Sequence, residues 1–212
     1  MRHRFRVYPR ARAGGQALGL AADRSYADYW VMTPAERERS DRIDVVAIVT
    51  PNHMHHPAAR AFLDAGIHVI CDKPMTTTPD EADDLVERVQ RTGLVFVVTY
   101  NYTGYPMVRQ ARALAEAGEI GEVRLVQVEY AQDWLAMPIE RAPLEAAGHA
   151  EGYPEALATL YAETAELIWM QTQQQSPAAR SLLPTVADGA RGIRFIAAAI
   201  ESGRCNSAWV PV

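Results

Sequence analysis

Three short polar runs hold the groups that could do chemistry. Asp72-Lys73-Pro74 follows one apolar run, Thr50-Pro51-Asn52-His53-Met54-His55 follows another, and Asn101-Tyr102 follows a third. A lone lysine is ordinarily a solvated surface group, but Lys73 comes directly after a buried strand. In a partly desolvated cleft its charged form is disfavoured, which lowers its pKa and suits an amine to proton transfer. His53, His55 and His56 carry the His-x-His spacing of a metal-dependent hydrolase, yet no convincing carboxylate or further histidine cluster completes a ligand set. His55 reads instead as a helix-entry residue beside a ligand. Tyr100, Tyr102 and Tyr105 either stack on a flat ligand ring or pack a loop, and the sequence leaves both open. Cys71 reads as a core cysteine at a strand end.

The elements between these runs must bring them together. Ile43–Thr50 is short, apolar and rich in β-branched residues, and Pro51-Asn52 closes it, so it reads as a central strand buried on both faces. A helix over His56–Ala65 ends at Gly66, and Ile67–Cys71 is the next strand. Thr78-Pro79-Asp80-Glu81 supplies an N-cap, a first-turn proline and two acids for a helix that stops at Gly93, before a strand over Leu94–Tyr100. Strands alternating with helices predict a doubly wound parallel sheet with ligands at the carboxyl ends of its strands, where all three polar runs lie. Beyond Tyr105 the pattern predicts a helix over 106–117, a strand over Val123–Tyr130, a loop over 133–152, and amphipathic helices over 154–172 and 186–202.

These residues resemble the Gfo/Idh/MocA oxidoreductases. Asp44-Val-Val-Ala-Ile-Val-Thr-Pro-Asn-His-Met-His55 and Gly66-Ile-His-Val-Ile-Cys-Asp-Lys-Pro74 are similar to the family's strand-TPxxxH and Glu-Lys-Pro signatures, with Asp72 in place of the usual Glu. The likeness continues through Thr99–Pro106, Gly121–Val128 and the final helix from Pro184. The resemblance implies an α/β fold, an incomplete Rossmann-like parallel sheet with a reduced, mainly helical C-terminal region. It implies a partial NAD(P)-binding Rossmann-like domain over residues 1–104 and a reduced C-terminal oxidoreductase region over 105–212. By the same resemblance Lys73 is catalytic, hydrogen-bonding the reacting hydroxyl. Thr50, Pro51, Asn52, His55, Asp72, Pro74, Asn101 and Tyr102 line an NAD or NADP cofactor, and the substrate is a sugar, cyclitol or related polyol. Two parts of the family pattern are missing. No Gly-x-Gly-x-x-Gly turn opens the chain, since Gly14-Gly15 and Gly19 have the wrong spacing, and the helix bearing the lysine's Asp and His partners has no counterpart. Neither Asp133 nor His149 aligns with that pair. Arg10 and Arg12 are the one pointer to a 2′-phosphate.

Composition sets the outer bounds. In 212 residues, 49% hydrophobic and 22% charged, folding can bury about 70% of the unfolded surface, enough for a real core. A net charge of −5 repels polyanions, so nucleic acid is not an expected partner. No apolar run nears the roughly 18–20 residues of a membrane span, and two cysteines build no disulfide framework, which fits a cytoplasmic protein. Arg2, Arg4, Arg6, Arg10 and Arg12 precede any acid, but the stretch holds no serine before Ser25 and runs into a helix-like Ala11–Ala22. It therefore reads as a charged exposed edge rather than a transit peptide. A sheet without the family's first strand exposes an edge, which predicts a homo-oligomer. The rival to the oxidoreductase reading is a non-catalytic remnant that self-associates through exposed helix faces.

Overall fold

The computed structural model describes residues 9–129, 151–175 and 181–212. Its contacts divide the chain into two compact units, Met1–Val98 with Pro184–Val212, and Thr99–Leu183.

In the first unit α1 (Pro9–Ala17) and α2 (Tyr29–Arg37) precede a parallel sheet. Gly14 and Gly15 lie inside α1 rather than in a turn. Behind α2, Glu36 is fully buried, accepting from Tyr26 Oη at 2.6 Å, Ile43 N at 3.0 Å and Arg24, and so fixes the chain where it enters the sheet. The sheet is β1 (Val45–Ile48), β2 (His68–Cys71) and β3 (Phe96–Val98), in the order β1-β2-β3. Two connections carry it forward, α3 (His55–Asp64) and α4 (Pro79–Thr92). Right-handed crossovers taken in one direction put both helices on one face, and α3 packs against β1, β2 and α4. The chain leaves α3 through Gly66 at φ +77°, a backbone state that costs a residue with Cβ but not glycine, and Ile67 N–H closes the turn on Phe62 O at 3.0 Å. A capping box between Thr78 and Glu81 opens α4. Phe62, Leu63, Ile67, Val69, Met75, Leu85 and Val98 are each at most 2% exposed and form the core.

One expectation is corrected here. The segment read as a central strand lies at the sheet's edge, with Ala47 exposed, because no strand among the described residues pairs with its outer side; β2 is central. The three described strands run in simple succession, as they do within one half of a doubly wound sheet. The opposite margin is covered: Val97 bridges Thr185, and Val98 N–H donates to Pro184 O at 3.0 Å. The second unit holds a one-turn helix at Asn101–Gly104, α5 (Pro106–Glu116) and α6 (Tyr153–Thr172). Arg109 clamps it, its guanidinium forked on Glu163 and its Nε donating to Thr103 O at 2.8 Å. Ala156, Leu160, Thr164 and Ile168 form the buried stripe of α6. The final helix α7 (Val186–Arg204) belongs to the first unit, packed on α4 and β3.

The strand expected over 123–130 does not form. Residues 122–129 carry no regular structure, and adjacent Leu125 and Val126 are both exposed, so the alternation has no face to bury. A strand needs a neighbour to take its backbone groups, and none of the described residues supplies one. Tyr130 and residues 133–150, including Asp133 and His149, lie outside the described residues, as do Arg2, Arg4 and Arg6.

Candidate functional site

Parallel neighbours end on the same side, and register decides how closely their loops begin. Ile48 pairs with Cys71, and Asp72 N–H extends the ladder to Ile48 O at 2.9 Å. The Thr50 loop and the Lys73 loop therefore leave the sheet side by side. Pro51 cannot continue the ladder, the chain makes one tight turn over Asn52–Met54, and α3 starts at His55. The ring of His55 is 1% exposed, with Nε2 2.7 Å from Thr50 O and Nδ1 2.8 Å from Pro74 O. One buried imidazole thus spans both loops, and its two nitrogens are taken.

Asp72 Oδ1 accepts from Lys73 N at 2.8 Å, and the Lys73–Pro74 peptide is cis. The loop is anchored from below. Met75 and Thr76 are buried, Thr76 Oγ1 donates to Thr78 O at 3.0 Å, and a Cβ at Gly189 of α7 would come within 2.6 Å of Met75 Sδ. Burial, with Asp72 beside it, pushes the Cys71 thiol up to about 12 and makes it an inert core group. The side chain of Lys73 is exposed, so the desolvation expected for its ammonium is not met. Inward anchoring of Met75 leaves the preceding lysine pointing away from the core. Thr50, Pro51 and Asn52 are exposed, while Asp72 and Pro74 are half-buried.

Asn101 and Tyr102 belong to the second unit. Asn101 is 5% exposed; its Nδ2 donates to Tyr153 O at 3.0 Å and its Oδ1 has no partner among the described residues. Tyr102 stacks on Tyr105 at 5.6 Å and meets Tyr153 edge-on at 6.4 Å, the loop-packing arrangement of the two left open. His56 turns from its neighbours to α4, 2.8 Å from Asp84 and 3.9 Å from Glu81. Among the described residues no group of three or more His, Cys, Asp and Glu could hold a metal, and no helix is long and apolar enough to cross a membrane. The side chains of Arg10 and Arg12 lie outside the described residues. Sequence reading missed Met75 and Gly189, whose only signal was a glycine on the buried face of an amphipathic helix.

Residues 9–100 match the model of an oxidoreductase family with an NAD-binding Rossmann fold, Gfo/Idh/MocA. A levoglucosan dehydrogenase of Pseudarthrobacter phenanthrenivorans is 40% identical over 96 residues, 45% of this chain and 25% of that protein. The crystal structure of an oxidoreductase from Sinorhizobium meliloti superposes with a TM-score of 0.82 at 30% identity, covering 95% of this chain and 89% of that one. An inositol dehydrogenase homologue from Azotobacter vinelandii, solved with NADH and myo-inositol, is 42% identical over 54% of this chain and 30% of its own, with a TM-score of 0.53. The matched region spans about a quarter to a third of the length of the curated relatives. With the Thr-Pro-Asn and Asp-Lys-Pro loops side by side on a parallel sheet, these likenesses establish that the chain belongs to the Gfo/Idh/MocA oxidoreductase family.

Proposed function

We propose that the chain binds NAD or NADP along the rim of Thr50, Pro51, Asn52, Asp72, Lys73 and Pro74, and takes part in hydride transfer on a sugar, cyclitol or related polyol. The observation that carries this reading is the pair of loops clasped by His55, one carrying exposed Thr50 and Asn52 and the other exposed Lys73, side by side at strand ends. NADH and myo-inositol in one relative, and levoglucosan in the name of another, support the substrate class. The donor set fits the ribose and nicotinamide end of a coenzyme, which offers hydroxyls and an amide. A phosphate cradle is not found among the described residues, since Gly14 and Gly15 are helical.

A bound nicotinamide would supply the hydride acceptor or donor. Lys73 Nζ would hold the substrate hydroxyl and move its proton as the carbon changes oxidation state. Asp72 fixes the Lys73 amide, so the lysine stem departs from a set point, and Pro74, held at its carbonyl, fixes the next peptide. Turnover of a polyol panel with each coenzyme tests the reading, and no activity from wild-type chain with either would count against it. A second reading, self-association, is favoured by the outer side of β1, unpaired among the described residues, and by Phe195 and Trp209, 62% and 102% exposed. Light scattering that gives a clean monomer would overturn that one.

A further inference from the structure

We infer that Gly189 of α7 and Met75 are positioning residues for Lys73: the missing side chain at Gly189 forms the seat that Met75 fills, and this seat sets where the Asp72-Lys73-Pro74 loop stands, a role that rests on the proposed coenzyme and polyol chemistry. Glycine inside a helix is less favourable than alanine, so Gly189 weakens α7 unless the missing Cβ is put to use. Its use lies on the buried face. Gly189 is buried with Val186, Ala190 and Ile193. A Cβ there would stand 2.6 Å from Met75 Sδ, 3.2 Å from Met75 Cβ and 2.9 Å from Val98 Cγ2. A close-packed interior does not absorb such overlaps without a shift.

What gives way is set by what is pinned. The start of α7 is tied to β3, with Val98 N–H donating to Pro184 O at 3.0 Å and Val97 bridging Thr185, and the capping bonds between Thr185 and Asp188 hold its first turn. Val98 in turn pairs with Cys71 inside the sheet. Met75 sits on a loop, and its thioether is the far end of a flexible side chain, so it yields first. At 0% exposure it has no open space to swing into, and part of the displacement passes to its Cβ and backbone. On the other side of Lys73, Asp72 is fixed by the bond from its N–H to Ile48 O at 2.9 Å. The segment between these two anchors carries Lys73 and takes up the difference. Pro74 O, 2.8 Å from His55 Nδ1, lies on that segment and is displaced with it. The Lys73 side chain is exposed, so no packing of its own corrects the error, and a misplacement near 1 Å at a reacting group costs about 10²-fold in rate.

Gly189→Ala in the full chain tests this, read by amide NMR of the free protein and by steady-state kinetics on the best polyol, at a temperature where every variant is folded. The Lys73 N–H, which donates to Asp72 Oδ1 at 2.8 Å, reports the loop. Its resonance and that of Met75 should shift while those of Thr50 and Asn52 stay, and kcat should fall about tenfold or more with the coenzyme KM within about threefold of wild type. Adding Met75→Ala to Gly189→Ala makes room for the new methyl, so kcat should recover severalfold over Gly189→Ala even though the doubly substituted chain has the lower Tm. A glycine that served stability alone would show kcat and Tm falling together. An unmoved Lys73 amide, a kcat within about twofold of wild type, or no recovery in the double variant overturns the inference. Should Gly189→Ala not fold, Met75→Ala alone decides, since an emptied seat should also move the Lys73 amide and lower kcat, and an unmoved amide overturns the inference. If the wild-type chain turns over no polyol with either coenzyme, the functional reading fails, while the Lys73 amide still decides whether Gly189 sets the loop.

Discussion

In the proposed reaction Lys73 would act from the tip of a loop whose backbone is fixed and whose lysine is exposed. Lys73→Ala should leave the fold and coenzyme binding intact and lower kcat by about 10²–10⁴-fold, the range for a lost proton-transfer group; steady-state kinetics on the best polyol checks this. Cys71 makes an opposite prediction. Its thiol is buried and pushed up to about 12, so iodoacetamide at about pH 8 should label exposed Cys205 in the folded chain and leave Cys71 untouched, both reacting only in denaturant. His68 carries the pH dependence. Its Nδ1 accepts Val95 N–H at 2.9 Å, and burial pushes the imidazole below its ordinary range. The unfolded chain therefore takes the proton first, so this contribution is whole above about pH 6.5 and is lost as pH falls below it. His68→Gln keeps an acceptor without titrating, and its urea midpoint should fall less than wild type between about pH 7.5 and about pH 5. The chemistry of Lys73 and Asn52 was legible because their types and neighbours form a motif. The ring partners of His55 were not, because they are carbonyls placed by the pairing of Ile48 with Cys71, which no side-chain pattern encodes.

At the scale of elements, helix boundaries were the most legible feature. Thr78 with Glu81, and Thr185 before Val186, mark helix starts by side chains that satisfy the first free amides. The place of β1 was illegible for a physical reason: a run of β-branched residues reports strand propensity, whereas edge or centre depends on what pairs beside it. Val123–Val128 fails in the same way, with the right alternation and no neighbour. Packing at two glycines gives a graded test. Gly189→Ala sets a methyl 2.9 Å from Val98 Cγ2 and 2.6 Å from flexible Met75 Sδ, and should cost about 1–2 kcal/mol net of the helix propensity that alanine gains. Gly104→Ala meets the backbone carbonyl of Ala156, which cannot yield, and should cost about 3 kcal/mol or more. Denaturant midpoints rank the two, and equal losses would contradict the packing described.

For the molecule as a whole, the parallel sheet and the chain's return through Pro184–Thr185 explain why α7 closes the first unit although 85 residues of the second intervene. That return was not legible, because an amphipathic helix declares that it covers something without declaring what. The sharing of one rim by the Thr-Pro-Asn and Asp-Lys-Pro runs was legible, since βαβ units turn sequence order into spatial order. Coenzyme binding at this rim is tested by titrating the amide-labelled chain with NADH and NADPH to millimolar concentration, followed by NMR and by thermal unfolding. Saturable shifts of the Thr50, Asn52, Asp72 and Lys73 amides are expected with one coenzyme, with a rise in Tm that grows with its concentration. Amides at those four positions that stay fixed, with an unchanged Tm under both coenzymes, would contradict it.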